Sequence, residues 1–254
     1  MPHRFRAIFI LAALLSGCGT KPEVEPLRIA AASDLQQVLP AIVKVFEERY
    51  KLHVTCTFGS SGQLAEQFKA GAPFDLFLAA NHRFVSDLAE KKVIDPASVA
   101  PYAQGELVMI VGRRAFDQVG KLDDLTGPRI VSIAMANPEV APYGQAAKQT
   151  LENAGLWSKV ETKIVRAENV RQVLQFVSSG NADVGFVGSA LVQGVEGLKV
   201  VSIDPALHDP IIQYLGITLA SRQLKNAEAL RLFILGQEAQ RLLRAYGFKP
   251  TGGL

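Results

Sequence analysis

Short apolar runs alternate along this chain with segments whose apolar residues recur at three- and four-residue steps. The first run, 29–32, stops at Ser33, and a helical pattern begins at once. Its apolar residues fall on one predicted helix face: Leu35, Val38, Leu39, Ile42, Val43 and Phe46. Ser33 stands where a helix N-cap belongs, so its hydroxyl and the free N–H groups of the first turn are expected to point the same way. Such a helix start suits an anion.

The same junction of strand, small-residue turn and helix start is predicted three more times. The first follows a strand over 53–58, where Gly59 and Gly62 let the backbone approach a ligand and Ser60 and Ser61 offer hydroxyls beside free N–H groups. The other two open a helix at Pro142 and Tyr143 after a strand over 129–134, and at Glu168, Asn169 and Val170 after a strand over 163–165.

The remaining patterns predict more strands and helices in alternation. Strands are predicted over 75–80, 106–111, 184–187, 199–203 and 214–219, and a final helix over 226–246. Strands that alternate with helices at this spacing indicate a parallel sheet in an α/β protein. Helix starts from both halves of the chain must meet if they form one site, so we expect two α/β lobes with a ligand cleft between them.

The N-terminal residues follow a different pattern. Arg4 and Arg6 precede an apolar run over 7–15 that is too short to span a bilayer and has the layout of a secretory signal. Its ending, Leu15-Ser16-Gly17-Cys18, resembles the lipoprotein signal box of bacteria, in which the cysteine becomes the lipidated first residue. We predict a signal peptide over 1–17, lipidation of Cys18 and a tether over 18–26. An ordinary signal peptide that contains Cys18 by chance is the alternative.

Composition and charge limit the classes of function that the chain can have. With 254 residues, of which 48% are hydrophobic, the chain can form one large soluble domain or two ordinary ones. Of its 27 lysines and arginines, Arg4 and Arg6 leave with the signal, so 25 remain against 24 acidic residues and give no indication of nucleic-acid binding. Cys56 lies in an alternating strand pattern and has no partner if Cys18 carries lipid, so we expect a structural thiol.

Five stretches resemble the solute-binding proteins of bacterial molybdate importers, and together they cover most of the chain after residue 26. They are Ala30-Ala31-Ala32-Ser33, GSSGQLAEQFKAGAPFDLFLAA over 59–80, ANPEVAPYGQAA over 136–147, AENVRQVL over 167–174, and RLLRAYGF over 241–248. The resemblance implies a type II periplasmic-binding fold, with lobe one over 27–103 and 216–254 and lobe two over 104–215.

The resemblance also implies the ligand and its contacts. Members of this family hold a tetrahedral dianion by hydrogen bonds from neutral groups at helix N-termini, without direct ligation of the metal atom. Carried over by position, Ser33 and Ser61 donate from lobe one, and Tyr143 and the backbone N–H of Val170 from lobe two. The implied protein is a lipid-anchored monomer of the periplasm or cell surface, without a cofactor, that binds molybdate and tungstate and delivers them to the membrane subunits of an ABC importer.

Two positions depart from the family pattern. Many members carry a tyrosine in the turn after the strand over 184–187, where this chain has Gly188 and Ser189. We expect the Tyr143 phenol to replace that donor. Asp34 places a carboxylate beside a site for a dianion, and the expectation is that it stabilises the helix dipole and points away.

A fully ionised tetrahedral oxyanion accepts hydrogen bonds and cannot donate, so hydroxyl and amide donors fit it without a lysine or arginine. For that reason Arg166 and Arg171 are expected to be solvated. About five to seven such bonds, each contributing about 1.5 to 3 kcal/mol, can reach micromolar affinity. A pocket without a buried acid cannot accept the proton of hydrogen phosphate, which disfavours phosphate.

Three alternatives remain. An enzyme is disfavoured because His53, His82 and His208 show no nucleophile or metal-ligand spacing and neither serine turn is a G-x-S-x-G elbow. A receptor for a metal cation is disfavoured because helix N-termini repel cations. A receptor for another tetrahedral oxyanion, such as sulfate or phosphate, or for an organic carboxylate, is the nearest alternative.

Overall fold

A computed structural model describes residues 25–251 of the chain. The predicted signal peptide, Cys18 and all but the end of the predicted tether lie outside the described residues. The strands in this part of the chain are β1 Leu27–Ala32, β2 Val54–Gly59, β3 Leu76–Ala79, β4 Ala100–Gly105, β5 Leu107–Gly112, β6 Ile133–Ala136, β7 Ile164–Ala167, β8 Val184–Gly188, β9 Leu198–Ser202 and β10 Ile211–Ile217. Its α-helices are α1 Leu39–Tyr50, α2 Ser61–Lys69, α3 His82–Glu90, α4 Pro142–Asn153, α5 Trp157–Val160, α6 Val170–Ser178, α7 Leu224–Leu235 and α8 Gln237–Ala245.

The strands form two separate five-stranded sheets, one in each lobe. The first has the order β2-β1-β3-β10-β4 and the second the order β7-β6-β8-β5-β9. In the first sheet β1, β2 and β3 are parallel, and in the second β6, β7 and β8 are parallel, while β10 and β5 run antiparallel to their neighbours. Parallel strands put their carboxyl ends at one edge of each sheet, so the helices that follow them begin on the same side.

Two connections join the lobes. The chain passes from β4 in the first sheet to β5 in the second through Glu106, and returns from β9 to β10. All of β10, including the predicted lobe boundary at 215/216, pairs within the first sheet. The position of that boundary stays a prediction.

Each lobe has its own apolar core. The predicted face of the first helical segment is buried, with Leu35, Val38 and Phe46 each at most 1% exposed. The valines of α6 pack on the second sheet, where Val173 is 0% exposed. The apolar periodicity therefore identified the core-facing sides of these helices correctly.

Several structural predictions were wrong, including the strand predicted over 129–134, which lies at Ile133–Ala136. The first helix begins at Leu39 and not at Ser33, because Pro40 lies in its first turn and would break a helix that had begun earlier. Strand β4 was missed, since its buried residues, Tyr102, Ala103 and Gly105, follow neither a strict alternation nor a continuous apolar run. The predicted final helix is two helices, α7 and α8, separated by Gly236 in an extended conformation.

The Cys56 thiol has the structural setting that its strand pattern predicted. Cys56 lies half-buried in β2 as a free cysteine. Burial raises the pKa of its thiol to about 12, and the negative charge of the nearby Glu47 contributes a smaller part of that rise. Such a thiol stays protonated and unreactive at neutral pH. Within residues 25–251, no helix is both long and apolar enough to cross a membrane.

Candidate anion-binding site

A small closed cavity lies between the lobes where β1, α2, α4 and α6 come together. Its polar lining comes from both lobes: Ser33, Asp34, Ser60 and Ser61 on one side and Tyr143, Asn169 and Val170 on the other. All four residues predicted to bind an anion are therefore gathered around one space. The space open to the centre of a water molecule is about 10 Å³, so the lobes are closed upon it.

The start of α2 supplies two neighbouring serines with different roles. Ser60 is the N-cap, and its hydroxyl both donates to Gln63 Oε1 at 2.9 Å and accepts from Gln63 N at 3.4 Å. The Ser61 Oγ instead accepts a hydrogen bond from Ala80 N at 3.0 Å. Because that bond occupies a lone pair and leaves the O–H proton unused, Ser61 can donate into the cavity.

The start of α6 presents a backbone donor. The Asn169 side chain is the N-cap and accepts hydrogen bonds from Arg171 N and Gln172 N at 3.1 and 3.2 Å. The N–H of Val170, the first helical residue, has no acceptor among the described residues. A helix terminus leaves such groups unsatisfied, so this N–H is available to an anion.

The start of α4 lacks a side-chain cap. Ala141 is the N-cap residue and Pro142, at the first position, has no N–H. The N–H of Tyr143 has no acceptor among residues 25–251. Three helix starts, those of α2, α4 and α6, thus direct free donors at one cavity, and each adds the positive end of a helix dipole.

Ser33 reaches the cavity without being a helix cap. It is the first residue of a short 3-10 helix, Ser33–Leu35, whose N-cap residue is Ala32. The predicted N-cap role is wrong, although the residue is buried at 4% exposure and lines the cavity. Within the described residues its hydroxyl makes no hydrogen bond, so it too is free to donate.

The Tyr143 phenol is buried in a gap that two glycines create. A Cβ at Gly105 would lie 2.0 Å from Tyr143 Oη, and one at Gly188 would lie 3.0 Å from the ring. Tyr143 Oη has no hydrogen-bond partner in the described part of the chain, and burial raises its pKa well above the usual value. The absence of a side chain at Gly188 thus makes room for the tyrosine from α4. Gly188 and Ser189 themselves do not line the cavity, and Ser189 N donates to Glu106 O at 2.8 Å.

Asp34 contradicts the expectation that it points away. Its side chain lines the cavity, is 1% exposed, and accepts a hydrogen bond at Oδ2 from Gln213 Nε2 at 2.6 Å. The second oxygen, Oδ1, has no partner among the described residues. Burial raises the pKa of Asp34 to about 6, and the neighbouring Tyr143 and Gln213 side chains offset part of that effect. The pocket does hold a buried acid, so the premise of the argument that disfavoured hydrogen phosphate was wrong.

Hydrogen bonds between the lobes keep this arrangement closed. Gly62 N donates to Val140 O at 2.8 Å, and Gln37 Nε2 donates to Leu191 O at 2.8 Å. At Gly62 the approach is so close that a Cβ would lie 2.9 Å from the Val140 backbone. Sequence reasoning missed these contacts, and only the glycine in the turn hinted at the first one.

The other candidate groups lie elsewhere. Arg166 and Arg171 are exposed and do not line the cavity, as expected. Among residues 25–251 there is no group of three or more His, Cys, Asp or Glu side chains that could hold a metal ion. The site is therefore a set of neutral donors with one buried carboxyl group, which can hold a small oxyanion by hydrogen bonds alone.

The chain is similar in sequence to known bacterial solute-binding proteins. Residues 27–249 match the family model described as bacterial extracellular solute-binding protein. A putative ABC transporter substrate-binding lipoprotein of Bacillus subtilis, YvgL, is 32% identical over 95% of this chain and 97% of its own length. The molybdate-binding protein ModA of Rhodobacter capsulatus is 30% identical over 97% of each chain.

Solved structures share the architecture. The periplasmic molybdate-binding protein of Azotobacter vinelandii superposes with a TM-score of 0.83 at 28% identity, covering 89% of this chain and 99% of the other. The sulfate-binding protein SubI of Mycobacterium tuberculosis superposes with a TM-score of 0.75 over 89% of this chain and 87% of the other, but at 17% identity it supports the fold alone.

Proposed function

The chain belongs to the family of bacterial extracellular solute-binding proteins, which includes the molybdate-binding protein ModA, and we propose that it binds molybdate and tungstate and delivers them to an ABC importer. Proteins of this family are transport receptors and not enzymes. The two lobes have the periplasmic-binding-protein fold. The observation that carries the proposal is the convergence of free, uncharged donors from both lobes on one closed cavity.

Four residues are proposed to bind the anion. The hydroxyl groups of Ser33, Ser61 and Tyr143 and the N–H of Val170 donate to the oxyanion oxygens, and none of them contacts the metal atom. Free N–H groups at Ser61 and Tyr143 add to this set. Hydrogen bonds to a charged acceptor contribute about 1.5 to 3 kcal/mol each. Such a set can reach micromolar affinity or tighter after the costs of association and ordering.

Delivery to the importer depends on closure of the lobes. In this arrangement hydrogen bonds join the two lobes from Gly62 to Val140 and from Gln37 to Leu191. A bound anion that contacts both lobes favours the closed state, and the closed surface is what the membrane subunits recognise. The N-terminal signal pattern and the similarity to the lipoprotein YvgL support a lipid anchor at Cys18, with the protein in the periplasm or on the cell surface.

Another tetrahedral oxyanion is the second candidate, because Asp34 brings a buried carboxyl group to the cavity. A carboxylate can accept the proton of hydrogen phosphate, which a set of donors alone cannot. Sulfate differs from molybdate mainly in size. Both anions therefore belong in the test.

Isothermal titration calorimetry of the purified protein with molybdate, tungstate, sulfate and phosphate tests the proposal. We expect micromolar or tighter binding of molybdate and tungstate, and binding of sulfate and phosphate weaker by roughly tenfold or more. Sulfate or phosphate bound as tightly as molybdate would overturn the specificity, and no binding of any of the four would overturn the oxyanion site.

A further inference from the structure

The buried acid at the cavity is not needed for a site made only of hydrogen-bond donors. Asp34 follows Ser33 in the 3-10 helix, is 1% exposed, and lines the cavity together with the four proposed donors. Its two oxygens differ, because Oδ2 is held by Gln213 Nε2 at 2.6 Å while Oδ1 has no partner in the described part of the chain. A buried carboxyl group with one oxygen that lacks a hydrogen-bond partner is unusual, because buried polar atoms are normally paired. A bound ligand or a proton on that oxygen would supply the missing interaction.

The groups around Asp34 are neutral. Tyr102 on β4, Gln213 on β10 and Tyr143 on α4 face it, and the phenols of both tyrosines are buried and protonated. The segment Ser189–Val192 that packs on its 3-10 helix carries no charged residue, and the charged residue of α6, Arg171, is exposed. Within the described residues, no cation is therefore positioned to keep the carboxylate ionised when an anion arrives.

We propose that Asp34 shares one proton with the bound oxyanion, so that the protein takes up a proton from solvent when it binds a fully ionised dianion. This inference rests on the proposed function and adds its regulation. In the complex the Asp34 O–H donates from Oδ1 to an oxygen of the anion, and Oδ2 continues to accept from Gln213. The carboxylate gains the proton that water or buffer loses, so charge and atoms balance.

The sign of the pH dependence follows from linkage. In the closed arrangement of this structure, burial raises the pKa of Asp34 to about 6, and a dianion beside the group raises it further in the complex. Below about pH 6 Asp34 is already protonated and the affinity is flat. Above it, each pH unit weakens binding by up to about tenfold until the pKa of the complex is reached.

The test measures molybdate binding to the wild-type protein and to Asp34→Asn. Asn keeps the size of Asp, still accepts from Gln213 and cannot ionise, so the variant is expected to fold. Calorimetry at about pH 7.5 in two buffers of different ionisation enthalpy gives the number of protons exchanged. We expect uptake approaching roughly one proton per anion in the wild type and none in Asp34→Asn. Asp75→Asn is the matched control, because Asp75 is a buried aspartate that does not line the cavity.

The outcomes separate this inference from the function on which it rests. Molybdate binding without proton uptake, or uptake that persists in Asp34→Asn, would overturn the role of Asp34 and leave the molybdate proposal standing. Proton uptake with tungstate or sulfate but no binding of molybdate would support the role of Asp34 and overturn the molybdate proposal. An affinity of Asp34→Asn that falls with pH as steeply as in the wild type would also count against the inference.

Discussion

The two serines at the start of α2 allow a sharp test of which hydroxyl binds the anion. Ser60 and Ser61 are adjacent and both buried, at 3% and 0% exposure. Only the Ser61 hydroxyl has its proton free, since Ser60 donates to Gln63 and Ser61 accepts from Ala80 N. Ser61→Ala should therefore weaken molybdate binding by about 1.5 to 3 kcal/mol. That corresponds to an increase of roughly tenfold to 150-fold in Kd.

Stability must be measured beside affinity, because both changes affect folding. Ser61→Ala leaves the Ala80 N–H buried without its acceptor, at a cost of about 1 to 3 kcal/mol in the free energy of unfolding. Ser60→Ala removes an N-cap at a similar cost of about 0.5 to 2 kcal/mol. Calorimetry with molybdate and urea unfolding of both variants separates the two effects. Equal losses of affinity in both variants, or an unchanged Kd in Ser61→Ala, would refute the assignment of the donor.

Two further changes probe the lobe-two donor and the closure. Tyr143→Phe should raise the Kd for molybdate by roughly 5-fold to 150-fold, equivalent to about 1 to 3 kcal/mol, with little loss of stability because Tyr143 Oη has no partner within the described protein. A large loss of stability with unchanged affinity, measured by urea unfolding and calorimetry, would make the phenol structural. Gly62→Ala places a Cβ 2.9 Å from the Val140 backbone, so small-angle scattering should show compaction on adding molybdate in the wild type and in the control Gly120→Ala but not in this variant. Compaction of Gly62→Ala equal to that of the wild type would contradict the role given to this contact.

Local patterns were enough to predict the helix start at Asn169-Val170 and the core-facing sides of the helices, but not the start of α1. The apolar steps after Ser33 and the Asn169-Val170 start can be recognised within a few residues of sequence, since capping and periodicity are local properties. The lining of the cavity by Ser61 and Tyr143 was expected only through the family resemblance, because the two residues are far apart in sequence and no local pattern relates them. The start of α1 depends on Pro40 in its first turn, and the apolar steps do not reveal it because they run without interruption through the 3-10 turn that precedes the helix.

The orientation of Asp34 could not be predicted, because it depends on distant residues. Gln213, which donates to Asp34 Oδ2, is 179 positions away on β10. The Tyr143 phenol lies beside Asp34 only because Gly105 and Gly188 lack side chains that would occupy the same space. A first-turn aspartate commonly faces solvent, where it favours the helix dipole. Here strand β10, which returns to the first lobe, covers Asp34 with Gln213. The orientation of Asp34 is therefore set by tertiary packing and not by the local sequence.

The energetics explain why a buried acid is compatible with a site for a dianion. Two unit charges about 4 Å apart repel by about 4 kcal/mol at an effective dielectric constant near 20, and a dianion doubles this. An ionised Asp34 facing the anion would thus offset several donor bonds. Protonating a group whose pKa is about 6 requires only about 1.4 kcal/mol at pH 7, whereas an ordinary aspartate with a pKa of 3.8 would require about 4 kcal/mol. The burial of Asp34 therefore lowers the cost of converting it from a repelling charge into one more donor, although the neighbouring Tyr143 and Gln213 side chains offset part of that gain.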